Sequence, residues 1–466
     1  MKDDTNRRQR LGTARLALLA LLLPLALAST AQTPLRWNSA QSATQVATVT
    51  TVPLARAESV PQRIAYVPPP RRTTPLAAGF DVRQFETIAQ ALVTDQRVPG
   101  LAMAIVKDGR ILTARGYGIT DVRAAEPIDA HTVFRLASLS KSFAGTVTGL
   151  LVSEGALRWD SKLTDFMPTL RLSDPTAAQQ LTVADVLSHR VGLTHNTYDR
   201  DLEANVDYRS LVQKLAYAPM ACHPGDCYGY QNIAFSLIGD VVFASTGRFY
   251  GEALARRIFK PLGMNDASTG LEGIEASPRW AKPHVRGGGG WVSLMPKPSY
   301  YRVSPAAGVN ASISDMAQWL IAQTGHRPDV LPASLLATLH APVVDTPGEL
   351  RGSSWRNERL NAAGYALGWR VYDYAGHRVV FHGGAVQGYR GVVALVPERD
   401  LGVVILWNSE SSLPSGLMPT ILDSAIGLTP HWLDERTLGD SLYARGADDD
   451  DAAAGADSST ALSRPK

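Results

Sequence analysis

Strand-forming segments stand at the two far ends of one long, mostly helical stretch. Near the start, Leu101–Val106 and Ile111–Gly118 flank the turn Lys107-Asp108-Gly109-Arg110. Near the finish, Gly391–Val396 and Leu401–Trp407 flank Pro397-Glu398-Arg399-Asp400, with a further short strand at Arg378–Phe381. Between them, helical spacing runs through Ser140–Glu154 (closed by Gly155), Val183–His189, Gln231–Ser245 and Ser314–Gln323. Strands at both ends with helices between them predict an antiparallel sheet completed by distant segments, with a helical subdomain against it. That is an α+β class, with chemistry expected at the seam between the two parts.

The body opens with an amphipathic helix, for which Asp81 is the N-cap and Val82, Phe85, Ile88, Ala89 and Leu92 form one face; Val98-Pro99-Gly100 stops it. Ahead of it, residues 1–31 read as a secretory signal. Basic residues reach to Arg15, the apolar run Leu16–Ala28 follows, and Ser29-Thr30-Ala31 offers a cleavage point. Pro24 interrupts a run already short for a membrane span, so a cleaved signal is expected, with an uncleaved anchor as the alternative. The chain is therefore expected to be exported, periplasmic or secreted, with no stable membrane insertion. Residues 32–80, rich in proline, predict an extended, disordered linker, and residues 439–466, with Asp448–Asp451 in an Ala/Gly/Ser-rich run, predict an acidic disordered tail. The folded domain is placed at 81–438.

Charge excludes one class of function. The chain of 466 residues carries a formal net charge of +3. Lys2, Arg7, Arg8, Arg10 and Arg15, offset by Asp3 and Asp4, supply all of that surplus inside the signal segment. A neutral body gives no electrostatic case for nucleic acid. Cys222 and Cys227, the only cysteines, sit in Cys-His-Pro-Gly-Asp-Cys. In an oxidising compartment this suits a local disulfide; free buried thiols are the alternative, and a metal site would need ligands beyond the adjacent His223.

The most informative stretch is Phe134-Arg-Leu-Ala-Ser138-Leu-Ser-Lys141-Ser-Phe at a helix start. Ser138 and Lys141 share one helical face, Ser138 lies at the positive end of the helix dipole, and a lysine in a dry pocket can act as base for a serine hydroxyl. Ser-x-x-Lys alone is weak: the tail holds another, Ser463–Lys466. Its company gives it weight. Tyr230-Gln231-Asn232 precedes a helical run, where a phenol can relay the serine proton and an amide can hold both lysine and substrate. His382-Gly383-Gly384 follows a strand, where two glycines let substrate approach the backbone and the Ala385 amide can donate to an oxyanion.

The order Ser-x-x-Lys, Tyr-x-Asn, His-x-Gly resembles the serine β-lactamase and penicillin-binding-protein superfamily, and within it the class C β-lactamase-related serine hydrolases. The resemblance covers roughly residues 80–425, through Val98-Pro99-Gly100, Glu154-Gly155-Ala156-Leu157 with Asp160, Leu187-Ser188-His189 with Gly192-Leu193, Tyr365-Ala366-Leu367-Gly368-Trp369 and Pro397–Asn408. It implies a β-lactamase/transpeptidase-like fold and no cofactor or metal. It makes Ser138 the acylated nucleophile, Lys141 its base partner, Tyr230 the proton shuttle and Asn232 a substrate-binding amide. His382, Gly383 and Gly384 would contact substrate, and the backbone amides of Ser138 and Ala385 would form the oxyanion hole. His382 stands where class C β-lactamases carry the lysine of Lys-Thr-Gly. A neutral imidazole is a weaker anchor for a carboxylate, which argues for an esterase, amidase or D-amino-acid peptidase over efficient β-lactam hydrolysis.

The expected partner is therefore a small-molecule or peptide ester or amide. A true β-lactamase or D-alanyl-D-alanine carboxypeptidase is the alternative, and a catalytically silent sensor on the same scaffold the third reading. Sequence leaves the oligomeric state open. Gly287–Gly290 lacks the Lys-Ser/Thr of a phosphate loop and reads as a mobile loop, with Trp291, Tyr300 and Tyr301 as candidates for the cleft wall. His189 reads as a structural hydrogen bonder.

Overall fold

Helix α1 (Val82–Thr94) starts where the sequence predicts, with the Asp81 side chain accepting from Arg83 N and with Phe85, Ala89 and Leu92 buried. The computed structural model describes residues 73–433. The expected signal, most of the expected linker, the end of the expected domain and the acidic tail lie outside them. Residues 73–80, assigned above to the linker, are instead held on the body. Thr74 N donates to Glu398 O at 2.8 Å, Ala77 N donates to Ala425 O at 3.0 Å, and the rings of Phe80 and Phe85 lie 5.2 Å apart.

The sheet has eight strands: β1 (Gly100–Lys107), β2 (Arg110–Gly118), β3 (Val344–Asp345), β4 (Leu360–Tyr365), β5 (Arg370–Tyr374), β6 (His377–Val386), β7 (Tyr389–Val396) and β8 (Leu401–Trp407), in the order β2-β1-β8-β7-β6-β5-β4-β3. The β1–β2 turn uses two left-handed residues, Asp108 and Gly109, as a tight hairpin demands. Strand β1 pairs antiparallel with β8 from Leu101↔Trp407 to Lys107↔Leu401. The two distant hairpins thus form one sheet, as predicted.

Strand alternation divides the core. Ala102, Ala104 and Val106 face the helical side, packing with helix α2 (Ser140–Ser153) and with Trp319 of a helix over Ile313–Ile321. Leu101, Met103 and Ile105 face the rear, packing with α1 and with the last helix, Leu417–Ile426. Burial on both faces explains why β1 and β8 read as continuous apolar runs.

Two helices differ from their expected limits for a local reason. The run from Val183 ends at Leu187, because His189 is left-handed at φ 58°. The run from Gln231 becomes regular only at Leu237. Gln231 N donates to the His189 ring instead, and the Asn232 side chain bonds to Lys141 and Asp199.

One pairing detail positions the site. Strand β5 meets β6 only as far as Arg370↔Phe381, whereas β6 stays paired with β7 to Val386↔Tyr389. The run from Gly383 to Val386 therefore has an edge that β5 does not cover, and this edge faces the helical subdomain.

Candidate active site

Ser138 sits in a single 3-10 turn, Ala137–Leu139, that feeds α2. Ala137 is left-handed at φ 49°, which costs an alanine roughly 1–2 kcal/mol and turns the Ser138 side chain into the cavity. Lys141, one turn on, is fully buried. Its Nζ donates to Ser138 Oγ at 3.2 Å, to Asn232 Oδ1 at 2.7 Å and to Ala306 O at 3.2 Å. Those partners replace the hydration that the amine loses on burial.

Tyr230 is 2% exposed and lies against the same amine, with Lys141 Nζ 4.5 Å from its ring centroid. Asn232 is oriented from behind: its Nδ2 donates to Asp199 Oδ2 at 2.7 Å, which leaves Oδ1 for the lysine. Burial pushes the Asp199 carboxyl up to about 6, against the lowering effect of Asn232 and of the Lys141 charge. The Tyr300 hydroxyl donates to Glu203 Oε1 at 3.0 Å and approaches Asp199 Oδ2 at 3.4 Å.

A second run of hydrogen bonds lies behind Tyr230. Gln231 N donates to His189 Nδ1 at 3.1 Å, so the His189 proton is on Nε2, which faces the Tyr365 hydroxyl at 3.1 Å. Tyr365 in turn faces His382 Nε2 at 3.0 Å, and His382 Nδ1 donates to Gly383 O at 2.6 Å. Burial above all, with Lys141 next, holds the His189 imidazole well below its usual range, so it stays neutral as a structural hydrogen bonder.

The residues singled out from sequence thus separate into two groups. Ser138, Tyr230, Asn232, Gly383, Gly384 and Ala385 all line one cavity of about 1130 Å³, and Lys141 sits just behind Ser138. His382 is placed differently from the expected substrate contact. It is fully buried beside Tyr230 and Tyr365, and it is absent from the cavity wall because Tyr365 holds its outer nitrogen. Gly384 is required by contact: a Cβ there would stand 2.6 Å from Leu136 O, so only glycine lets β6 close on the Ser138 turn. Cys222 and Cys227 form a disulfide in the loop that leads to Tyr230, and Gly229 N anchors that loop on His189 O at 2.9 Å.

Of the three aromatics proposed for the cleft wall, Tyr300 lines the cavity. Trp291 instead donates to Gln96 O at 3.1 Å, and Tyr301 is buried against Arg135 and Asn310. Gly287–Gly290 is the tip of a two-stranded hairpin. Sequence reasoning missed Asp199, Arg370 and Arg390, which belong to no recognisable motif. Asp199 was the hardest to find, because a loop with left-handed Asn196 and Tyr198 brings it to Asn232.

A serine and a buried lysine one turn apart, at the seam between an antiparallel sheet and a helical subdomain, define the β-lactamase/transpeptidase-like class. The octameric penicillin-binding protein homologue from Pyrococcus abyssi shares this fold, with a TM-score of 0.66 at 25% identity over 75% of this chain and 78% of that one. The crystal structure of SurE shares the fold with a TM-score of 0.61 at 21% identity, over 76% and 78%. A sequence model of the beta-lactamase family matches residues 85–426, and the chain belongs to that family.

Its relatives include an unguisins hydrolase of Aspergillus campestris, 26% identical over 368 residues, which are 75% of this chain and 66% of that protein. A D-aminopeptidase of Gluconobacter oxydans is 28% identical over 366 residues, 76% of this chain and 63% of that protein. The chain thus spans less than two thirds of the length of these relatives. Among the described residues no helix is long and apolar enough to cross a membrane.

Proposed function

We propose that this chain is an exported serine hydrolase that cleaves an ester or amide through an acyl-enzyme on Ser138. The observation that carries the reading is the hydrogen-bonded set Ser138–Lys141–Asn232, with Tyr230 stacked on the lysine, at the wall of one cavity. In the reacting form one member of the Lys141–Tyr230 pair is deprotonated, and it takes the proton of the Ser138 hydroxyl as Oγ bonds to the carbonyl carbon. The carbonyl oxygen takes the charge and is met by the backbone amides of Ser138 and Ala385. As the intermediate collapses, the bond to the leaving alkoxide or amine breaks, and the relayed proton goes to that group. Water, deprotonated by the same pair, then attacks the ester and frees Ser138.

Asn232 holds Lys141 and contacts the substrate, while Gly383 and Gly384 offer the strand edge along which it lies. His382 acts through Tyr365 and its own backbone to set that strand. With its imidazole buried, no cation at position 382 meets a β-lactam carboxylate, which supports an esterase, amidase or D-amino-acid peptidase in the class C-related group. Export rests on the pattern of residues 1–31. The reading is tested by turnover of a short-chain nitrophenyl ester, a D-amino-acid p-nitroanilide and nitrocefin. Hydrolysis of the ester or anilide well above that of nitrocefin supports it, and nitrocefin as the best of the three makes the chain a β-lactamase.

A further inference from the structure

Arg135, three residues before the nucleophile, is a buried cation that the proposed chemistry does not use. It is 3% exposed. Its Nη1 donates to Lys297 O at 3.0 Å, and its Cζ lies 3.6 Å from the ring centroid of Tyr301. Among the described residues, neither its Nε nor its Nη2 has a hydrogen-bond partner. A guanidinium taken out of water with so little polar compensation is costly. What it holds in place gives it a use.

It holds Tyr301. Strand register sets Arg135 opposite Asn310, and the Tyr301 hydroxyl donates to Asn310 Oδ1 at 2.7 Å. The phenol is thus fixed on its face by the guanidinium and at its tip by the amide. Asn310 is fixed in turn, its Nδ2 donating to Gly270 O at 2.8 Å. The ring so held packs in one buried cluster with Ala137, Val386 and Tyr389. Ala137 directly precedes Ser138, and Val386 directly follows Ala385. These two are the chain neighbours of the amides assigned to the oxyanion hole, and they come from different parts of the fold. On β6, Gly384 and Val386 face the same way. Gly384 closes on Leu136 O, and Val386 meets the cluster that holds Tyr301 and Ala137. How closely the strand edge seats on the Ser138 turn therefore depends on where the Tyr301 ring stands.

We propose that Arg135 and Tyr301 are positioning residues for the oxyanion hole, their stack setting the separation of the Ser138 and Ala385 amides through Ala137 and Val386. The inference rests on the proposed hydrolase for the use of those amides, whereas the stack and its packing do not depend on it. Lysine cannot replace the arginine here, because an ammonium has no plane to lay on the ring. Misplaced amides lose most where charge develops, so the effect falls on kcat and not on KM.

The test compares the full chain with Arg135→Met, Arg135→Lys, Tyr301→Leu and Tyr301→Phe, each checked for folding by thermal unfolding. Three quantities are read: kcat and KM for a short-chain nitrophenyl ester, the affinity for phenylboronic acid, and the amide resonance of Ala385 in isotope-labelled protein. The boronic acid bonds to Ser138 Oγ and presents a tetrahedral, anionic centre to the same amides. Arg135→Met, Arg135→Lys and Tyr301→Leu should lower kcat roughly tenfold to a hundredfold with KM within about threefold. They should weaken the boronic acid by a similar factor and shift the Ala385 resonance. Tyr301→Phe keeps the stacked ring and should lose far less. Should Arg135→Met fail to fold, Arg135→Lys carries the same expectation. The resonance is read whether or not the ester is turned over, so a parent chain that hydrolyses nothing and binds no boronic acid counts against the hydrolase reading alone. An Ala385 resonance unmoved in the folded arginine variants and in Tyr301→Leu would overturn the inference, as would a fall in kcat with boronic acid affinity unchanged.

Discussion

Asn232 is held by opposite charges on its two ends: Oδ1 accepts from the Lys141 ammonium at 2.7 Å, and Nδ2 donates to the Asp199 carboxylate at 2.7 Å. The amide can satisfy both only one way round, so Asp199 fixes the face that Asn232 shows to the lysine. The acid that orients the site is thus one residue removed from the groups that would touch substrate.

That arrangement predicts opposite effects on stability and activity. The folded state raises the Asp199 carboxyl from 3.8 to about 6. Its contribution to stability is therefore present below about pH 4 and lost as pH rises through 6, leaving a cost of roughly 3 kcal/mol at neutral pH. Asp199→Asn should raise the melting temperature at pH 7 and leave it near the parent value at pH 4. Turnover should fall roughly tenfold, since the amide no longer balances the lysine charge. Denaturation curves at the two pH values, beside initial rates, check both halves.

Tyr365 connects two imidazoles through one oxygen. Tyr365→Phe should remove about 1–3 kcal/mol of stability, the cost of leaving buried polar atoms without that partner. It should also lower turnover while the parent's substrate preference is kept, because the change loosens β6 without altering the cavity wall. Urea midpoints and kcat for two esters of different size measure this.

Gly384→Ala puts a methyl group 2.6 Å from Leu136 O, where only backbone movement makes room. The strand must retreat from the Ser138 turn and carry the Ala385 amide with it. Turnover should drop by roughly a hundredfold with KM changed far less, the pattern expected when an oxyanion donor is displaced. Gly383→Ala, with the nearest atom 3.6 Å from the new Cβ, should be much milder in steady-state assays.

Much of this was legible in the chain. The strand pattern at the two ends foretold the sheet, because β1 and β8 are apolar on both faces and can be nothing but central. Short spacings around helix starts single out Ser138, Lys141, Tyr230 and Asn232 as candidates, and the structure brings these four side chains together. His382 was misplaced because spacing identifies a strand position but not what covers it; Tyr365, distant in sequence, takes its outer nitrogen. Asp199, Arg370 and Arg390 carried no signal. Each depends on a tertiary crossing: a loop with left-handed residues for one, and register across three strands for Arg370 and Arg390.

The account turns on a covalent bond to Ser138, and intact-mass spectrometry tests it most directly. The purified chain is mixed with a slowly hydrolysed activated ester, quenched within seconds and weighed, beside Ser138→Ala treated alike. The account predicts one acyl group added to the parent chain, located on the peptide that contains Ser138, none on the variant, and a fall in turnover of roughly a thousandfold or more. An adduct of equal yield on the variant, or undiminished hydrolysis by it, would contradict the account.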